Sequence, residues 1–128
     1  MSRSVLLIED NEQNRYLVTF LLERSGFTVR AFADGAGGIE DARTRIPALI
    51  LLDIQLPTMD GYAVARALRK HDALRGTPIL AVTSYAMPGD RERALEAGCT
   101  SYIEKPINPE TFVDEVERAL SGSTQVSP

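Results

Sequence analysis

The stretch Leu49-Ile50-Leu51-Leu52-Asp53 runs four bulky apolar residues straight into a carboxylate. A short apolar run without alternation fits a strand buried on both faces, and the acid marks where it ends. Three further segments repeat the pattern: Val5-Leu6-Leu7-Ile8 leads into Glu9-Asp10, Ile79-Leu80-Ala81-Val82 into Thr83, and Tyr102-Ile103-Glu104 into Lys105. In an open parallel α/β sheet, ligands bind at the carboxyl ends of the strands. Three carboxylates gathered there with a hydroxyl and an ammonium repel one another unless a cation is present, so the group points to a divalent metal and a phosphoryl ligand.

Apolar runs alternate with segments of helical period, which reads as five βα units around a parallel sheet. The first helix, about Glu12 to Ser25, places Leu17, Val18, Leu21 and Leu22 on one face and stops at Gly26. The second, about Gly35 to Arg45, has Asp34 as N-cap and turns Ile39, Ala42 and Ile46 inward. The third, about Tyr62 to Lys70, buries Val64, Ala67 and Leu68, and the fourth runs from about Pro88 to Ala97, ending at Gly98. The fifth takes Asn108 as N-cap and Pro109 as first helical residue, with Phe112, Val113, Val116 and Leu120 at helical spacing.

Strands covered on both faces imply a three-layer αβα sandwich, and five of them fit the doubly wound order 2-1-3-4-5. That order sets strands 1, 3, 4 and 5 side by side, and these four carry the polar ends. Strand 2 lies at the edge, ends in Ala31-Phe32-Ala33 and brings nothing to the group. The expected domain covers residues 1–120; Ser121 to Pro128 has no apolar periodicity and reads as a disordered tail.

At 128 residues, 44% hydrophobic and 25% charged, the chain has room for one globular domain. A formal charge of −4 argues against nucleic acid as a ligand, because phosphate-backbone affinity needs clustered Lys and Arg. No apolar stretch approaches the about 18 residues that span a bilayer, and none has signal-peptide layout, so a cytoplasmic protein without membrane insertion is expected. The single cysteine, Cys99, excludes an internal disulfide and reads as a small buried residue.

Residues Val5 to Asp10, Leu49 to Gly61 (LILLDIQLPTMDG), Thr83-Ser84-Tyr85-Ala86 and Tyr102 to Pro106 (YIEKP) closely resemble the receiver domain of two-component response regulators. The resemblance runs from about residue 4 to residue 120 and is greatest to stand-alone receivers of the cell-cycle regulator DivK type. It implies that Asp53 takes a phosphoryl group from a phosphohistidine to form an acyl phosphate. It also implies Mg²⁺ bound by Asp10, Asp53 and the backbone carbonyl of Gln55, with Glu9 acting through water. By the same resemblance Thr83, Ser84 and Lys105 bind the phosphoryl group, and Thr83 and Tyr102 form the switch. Pro57 and Gly61 shape the loop after the third strand. Pro106 matches the family's cis proline, a form that costs an X-Pro bond only ~0.5–1 kcal/mol. Gln55 and Tyr85 would tune the access of hydrolytic water.

Each position also has an ordinary role: Asp10 can cap a helix, Thr83 likewise, and Lys105 can be a solvated lysine. Their coincidence at four adjacent strand ends favours a joint site. Gly35, Gly37 and Gly38 lack G-x-G-x-x-G spacing and follow the edge strand, so no dinucleotide site is expected. His71, between Lys70 and Asp72, reads as a solvated histidine. A metal-dependent phosphatase of the haloacid dehalogenase kind would need an aspartate where Gln55 stands. A docking module with a vestigial site remains a third reading. The expected donor is a histidine kinase or histidine phosphotransfer protein, and the protein is expected to be a monomer or weak dimer. With no effector domain after Leu120 and Met1 just before the first strand, the reading is a complete small protein, not an enzyme, whose output is contact with a downstream protein target. The residues for that contact are Tyr85, Met87, Pro88, Tyr102 and Ile107.

Overall fold

The computed structural model describes residues 3–57, 59–84 and 88–121. Five strands, β1 (Arg3–Ile8), β2 (Phe27–Phe32), β3 (Leu49–Asp53), β4 (Ile79–Thr83) and β5 (Ser101–Glu104), form one parallel sheet in the order β2-β1-β3-β4-β5. Between and after them run α1 (Glu12–Arg24), α2 (Gly35–Thr44), α3 (Gly61–Arg69), α4 (Asp90–Ala97) and α5 (Phe112–Ser121), with a 3-10 turn at Asp72–Leu74. The expected strand order holds.

Pleating sorts each strand's side chains to two cores. Val5, Leu7, Leu49, Leu51, Leu80 and Val82 face α1 and α5, where Val18, Leu22, Phe112 and Val116 meet them. Leu6, Ile8, Ile50, Leu52, Ile79 and Ala81 face α2, α3 and α4. Burying each such side chain fully stabilises the fold by ~1.5–3 kcal/mol, so both layers are held mainly by the central strands. The glycine patch after β2 has a packing purpose: a Cβ on Gly38 would strike the Ile8 side chain, so its absence lets α2 lie close on β1.

Several details differ from the sequence reading. Ile46 is 52% exposed, because α2 ends at Thr44 and Arg45 turns to extended geometry (φ −138°, ψ 101°), which breaks the helical phase. On α3 it is Ala65 that is buried, while Ala67 is only half-buried, since the inward stripe of this short helix runs Gly61, Val64, Ala65 and Leu68. The fourth helix starts at Asp90 instead of Pro88, because Gly89 holds φ +92°, outside right-handed helix geometry. Regular α5 starts at Phe112, although the Asn108 side chain does accept from Glu110 N at 2.9 Å and its carbonyl from Phe112 N at 2.9 Å. Ser121 is helical; Tyr85, Met87 and residues 122–128 lie outside the described residues.

The amino ends of β4 and β5 are tied by one side chain. Arg69, at the last turn of α3, donates through Nε to Gly98 O (2.9 Å) and through Nη1 to Leu74 O (2.6 Å) and Thr77 O (2.7 Å). Three carbonyls from three different segments thereby find a donor in a partly buried place. Beside it, burial pushes the Cys99 thiol up to about 11, which fits its reading as a buried apolar residue. Arg69→Met should lower unfolding free energy by about 2–4 kcal/mol in urea titrations, because the Gly98 and Thr77 carbonyls lose this donor and Leu74 O is left with the Thr77 N–H, and Arg69→Lys should recover little. Arg3→Met, which breaks an ion pair with Glu117 between two exposed side chains, should cost less than about 1 kcal/mol.

Candidate phosphoryl and metal site

The site is assembled where the rows of the α1/α5 face run out. Glu9 continues the row of Val5 and Leu7, Asp53 that of Leu49 and Leu51, and Lys105 that of Ile103. The Lys105 ammonium lies 3.2 Å from Asp53 Oδ2 and 3.7 Å from Glu9 Oε1. Side-chain exposures are 2% for Asp53, 5% for Glu9 and 16% for Lys105, so the pairing is shielded from bulk water. Asp10 stands at the exposed rim, and one carboxylate oxygen from each of Glu9, Asp10 and Asp53 lies within 4.8 Å of the others.

Backbone contacts fix these acids. Asn11 N–H donates to Glu9 Oε2 at 3.1 Å, and Gln55 N–H donates to Asp53 Oδ1 at 2.9 Å. Glu9 N–H donates to Phe32 O at 3.0 Å, so the edge strand, which adds no side chain to the group, still anchors it. The N-cap of α1 is Asn11, whose side chain accepts from Asn14 N; Asp10 is therefore not the cap and keeps its carboxylate for the cluster. Arg15 braces the same turn by donating to the carbonyls of Glu9 (3.0 Å) and Asp10 (3.1 Å).

Three carboxylates facing one ammonium leave a formal charge of −2, the complement of a divalent cation. The donor set is all oxygen, as Mg²⁺ prefers, and the acidic cluster fits a Mg²⁺ site. With only the protein's own groups, burial and then the neighbouring Asp53 carboxylate push the Glu9 carboxyl up to about 7.

Thr83 and Tyr102 lie across the sheet. Thr83 continues the row of Ile79 and Ala81 and is buried; Tyr102 pairs in register with Ala81, is half-buried and packs on the core under α2, α3 and α4. Ser84 is exposed just past β4, and its N–H donates to Gln55 Oε1 at 2.9 Å. Pro57 is exposed in the loop after β3, and a Cβ on Gly61 would collide with the Ile54 backbone, whose carbonyl accepts from Gly61 N at 3.0 Å. The Lys105-Pro106 bond is cis. His71 sits at the N-cap of the 3-10 turn, half-exposed and remote from this group in the fold.

Two contributors escaped the sequence reading, Asn11 and Arg15, while the Gln55 side chain, expected to tune water access, meets the Ser84 N–H. Asn11 alone left a signal, as a capping residue before a helical run.

The raised Glu9 carboxyl makes the metal-free protein pH-dependent. In the unfolded chain Glu9 ionises near 4.5 and in the fold near 7, so its contribution to stability is intact below about 4.5 and lost as pH rises through 7. The loss should be no steeper than ~1.4 kcal/mol per pH unit. Urea midpoints taken with a chelator between pH 5 and pH 8 should fall more in the wild type than in Glu9→Gln.

A sequence model of the response regulator receiver domain matches residues 5–117. The polar-differentiation response regulator DivK of Brucella anthropi is 42% identical over 120 residues, covering 94% of this chain and 98% of the relative. Among solved structures, chemotaxis protein CheY4 of Vibrio cholerae superposes with a TM-score of 0.89 at 28% identity, covering 93% of this chain and 99% of that one. The receiver domain of sensor histidine kinase PA1611 from Pseudomonas aeruginosa, with a magnesium ion coordinated in its active site cleft, gives 0.86 at 33% identity, covering 94% and 99%. Fold, acidic cluster and relatives converge: the chain belongs to the response regulator receiver domain family.

Proposed function

We propose that the protein is a phosphoacceptor in two-component signalling, with Asp53 as the residue modified. The observation that carries this reading is a nearly inaccessible carboxylate 3.2 Å from an ammonium, grouped with two further acids at the end of a buried strand. An Asp53 oxygen attacks the phosphorus of a phosphohistidine; the P–N bond breaks, the imidazole leaves, and an acyl phosphate remains. Transfer of this kind depends on positioning and charge neutralisation more than on covalent chemistry. Asp10, Asp53 and the Gln55 carbonyl would hold Mg²⁺, with Glu9 reaching it through water. Bound there, the ion would neutralise charge on the transferring group. Lys105 serves as a point charge for a phosphoryl oxygen, with Thr83 and Ser84 as further donors.

The donor in this reading is a histidine kinase or a histidine phosphotransfer protein. The output is a protein contact at α4, β5 and α5, which border a groove of about 290 Å³ lined by Arg91, Leu95, Tyr102, Ile103 and Arg118 among others. Thr83 moves toward the phosphoryl group, Tyr102 fills the space left, and the groove changes shape. We further read the protein as cytoplasmic, without a nucleic-acid ligand in keeping with its charge of −4, and as a monomer or weak dimer. Among the described residues no helix is long and apolar enough to cross a membrane.

Acetyl phosphate with Mg²⁺ should add one phosphoryl group by intact mass in the wild type and none in Asp53→Asn; modification persisting in that variant refutes the assignment. Millimolar Mg²⁺ should raise the thermal midpoint by relieving repulsion in the folded cluster, and Asp10→Ala should lose most of the rise. Once a partner is identified, Thr83→Ala and Tyr102→Ala should still accept beryllofluoride but lose most of the affinity difference between the two states.

A further inference from the structure

The Ser84 N–H that a phosphoryl group on Asp53 would use is already engaged. It donates to Gln55 Oε1 at 2.9 Å, while the N–H of Gln55 itself donates to Asp53 Oδ1 at 2.9 Å. One residue therefore holds the acceptor carboxylate with its backbone and the loop after β4 with its side chain. Asp53 lies opposite Val82 in the β3–β4 ladder, and Ile54 N–H donates to Val82 O at 3.0 Å, which brings Ser84 alongside the end of β3. The Nε2 atom of the same carboxamide is buried and has no hydrogen-bond partner among the described residues. A carboxamide that leaves its donor half unsatisfied is a poorly optimised fixture, easily exchanged for a better acceptor.

We infer that the Gln55 carboxamide is a latch, competing with a phosphoryl oxygen on Asp53 for the Ser84 amide; this rests on the reading of Asp53 as phosphoacceptor. A phosphoryl group brings three charged acceptor oxygens, and hydrogen bonds to ionised acceptors outcompete those to a neutral amide. Occupancy of Asp53 therefore releases the carboxamide and uncouples the loop after β3 from the loop after β4. Until then Gln55 opposes occupancy, so its acceptor atom helps set how readily the site fills.

The test uses beryllofluoride, a stand-in for the phosphoryl group, at saturating Mg²⁺ on wild type, Gln55→Met and Gln55→Ala. The methionine keeps side-chain length and removes the acceptor; the alanine removes both. In Gln55→Met without beryllofluoride the Ser84 amide proton should move upfield and exchange faster. Both variants should bind beryllofluoride about two- to tenfold more tightly, the worth of one net hydrogen bond. An unmoved Ser84 amide, or affinity no better than wild type in both variants, overturns the latch. Tightening in Gln55→Ala alone assigns the effect to bulk and overturns it as well. If wild type and Asp53→Asn alike fail to bind beryllofluoride, the phosphoacceptor reading falls and the competition with it. Wild-type binding with an unmoved Ser84 amide removes the latch alone.

Discussion

Negative charge held against its own repulsion governs the carboxyl end of this sheet. Glu9 and Asp53 are placed by strands whose other residues are buried hydrocarbon, so neither acid can swing away into water without disturbing β1 or β3. Lys105 answers part of that charge, and the proton that Glu9 retains to about pH 7 answers another part. Much else serves this arrangement: the missing side chain at Gly61 and the backbone donors from Asn11 and Gln55. A buried carboxylate removed from its partners is expensive, so the packing that isolates the acids also makes the site receptive to cations.

The polar strand ends were legible because they are written in local pattern, and the strand order because five doubly covered parallel strands fit a common doubly wound arrangement. Leu49 to Leu52 fits a doubly covered strand, and the acid directly after the run marks its end. Other features depend on contacts between residues far apart in the chain. Arg69 reads as an ordinary charged position on a helix; the carbonyls of Leu74, Thr77 and Gly98 that it meets lie 5, 8 and 29 residues away. The exposed Ile46 and the late start of α4 turn on single backbone angles at Arg45 and Gly89, which hydrophobic spacing does not encode. The glycines after β2 lack dinucleotide-binding spacing, and their use against Ile8 becomes visible only once α2 lies on β1. The phosphatase alternative, already weakened by Gln55, gives way to the family match over residues 5–117.

The sheet also separates two kinds of work. Glu9, Asp53 and Lys105 belong to the rows above α1 and α5, whereas Thr83 and Tyr102 belong to the rows above α2, α3 and α4. A hydrocarbon wall lies between them everywhere except at the carboxyl edge. The two sets of rows meet at that edge, where Thr83 and Ser84 close β4 and where the Gln55 side chain accepts from the Ser84 N–H.

The arginine at the far end of the sheet bears on how α4 can respond. Through Gly98 and the entries to β4 and β5, Arg69 bolts down the carboxyl terminus of α4, while the amino terminus begins at Gly89 beside the loop that follows β4. The helix is thus fastened at both ends, since Asp90 in its first turn is buried and Arg93 lies 5.3 Å over the Tyr62 ring of α3. Displacing this helix as a body therefore breaks contacts at both ends, to Arg69 at Gly98 and to Tyr62 at Arg93.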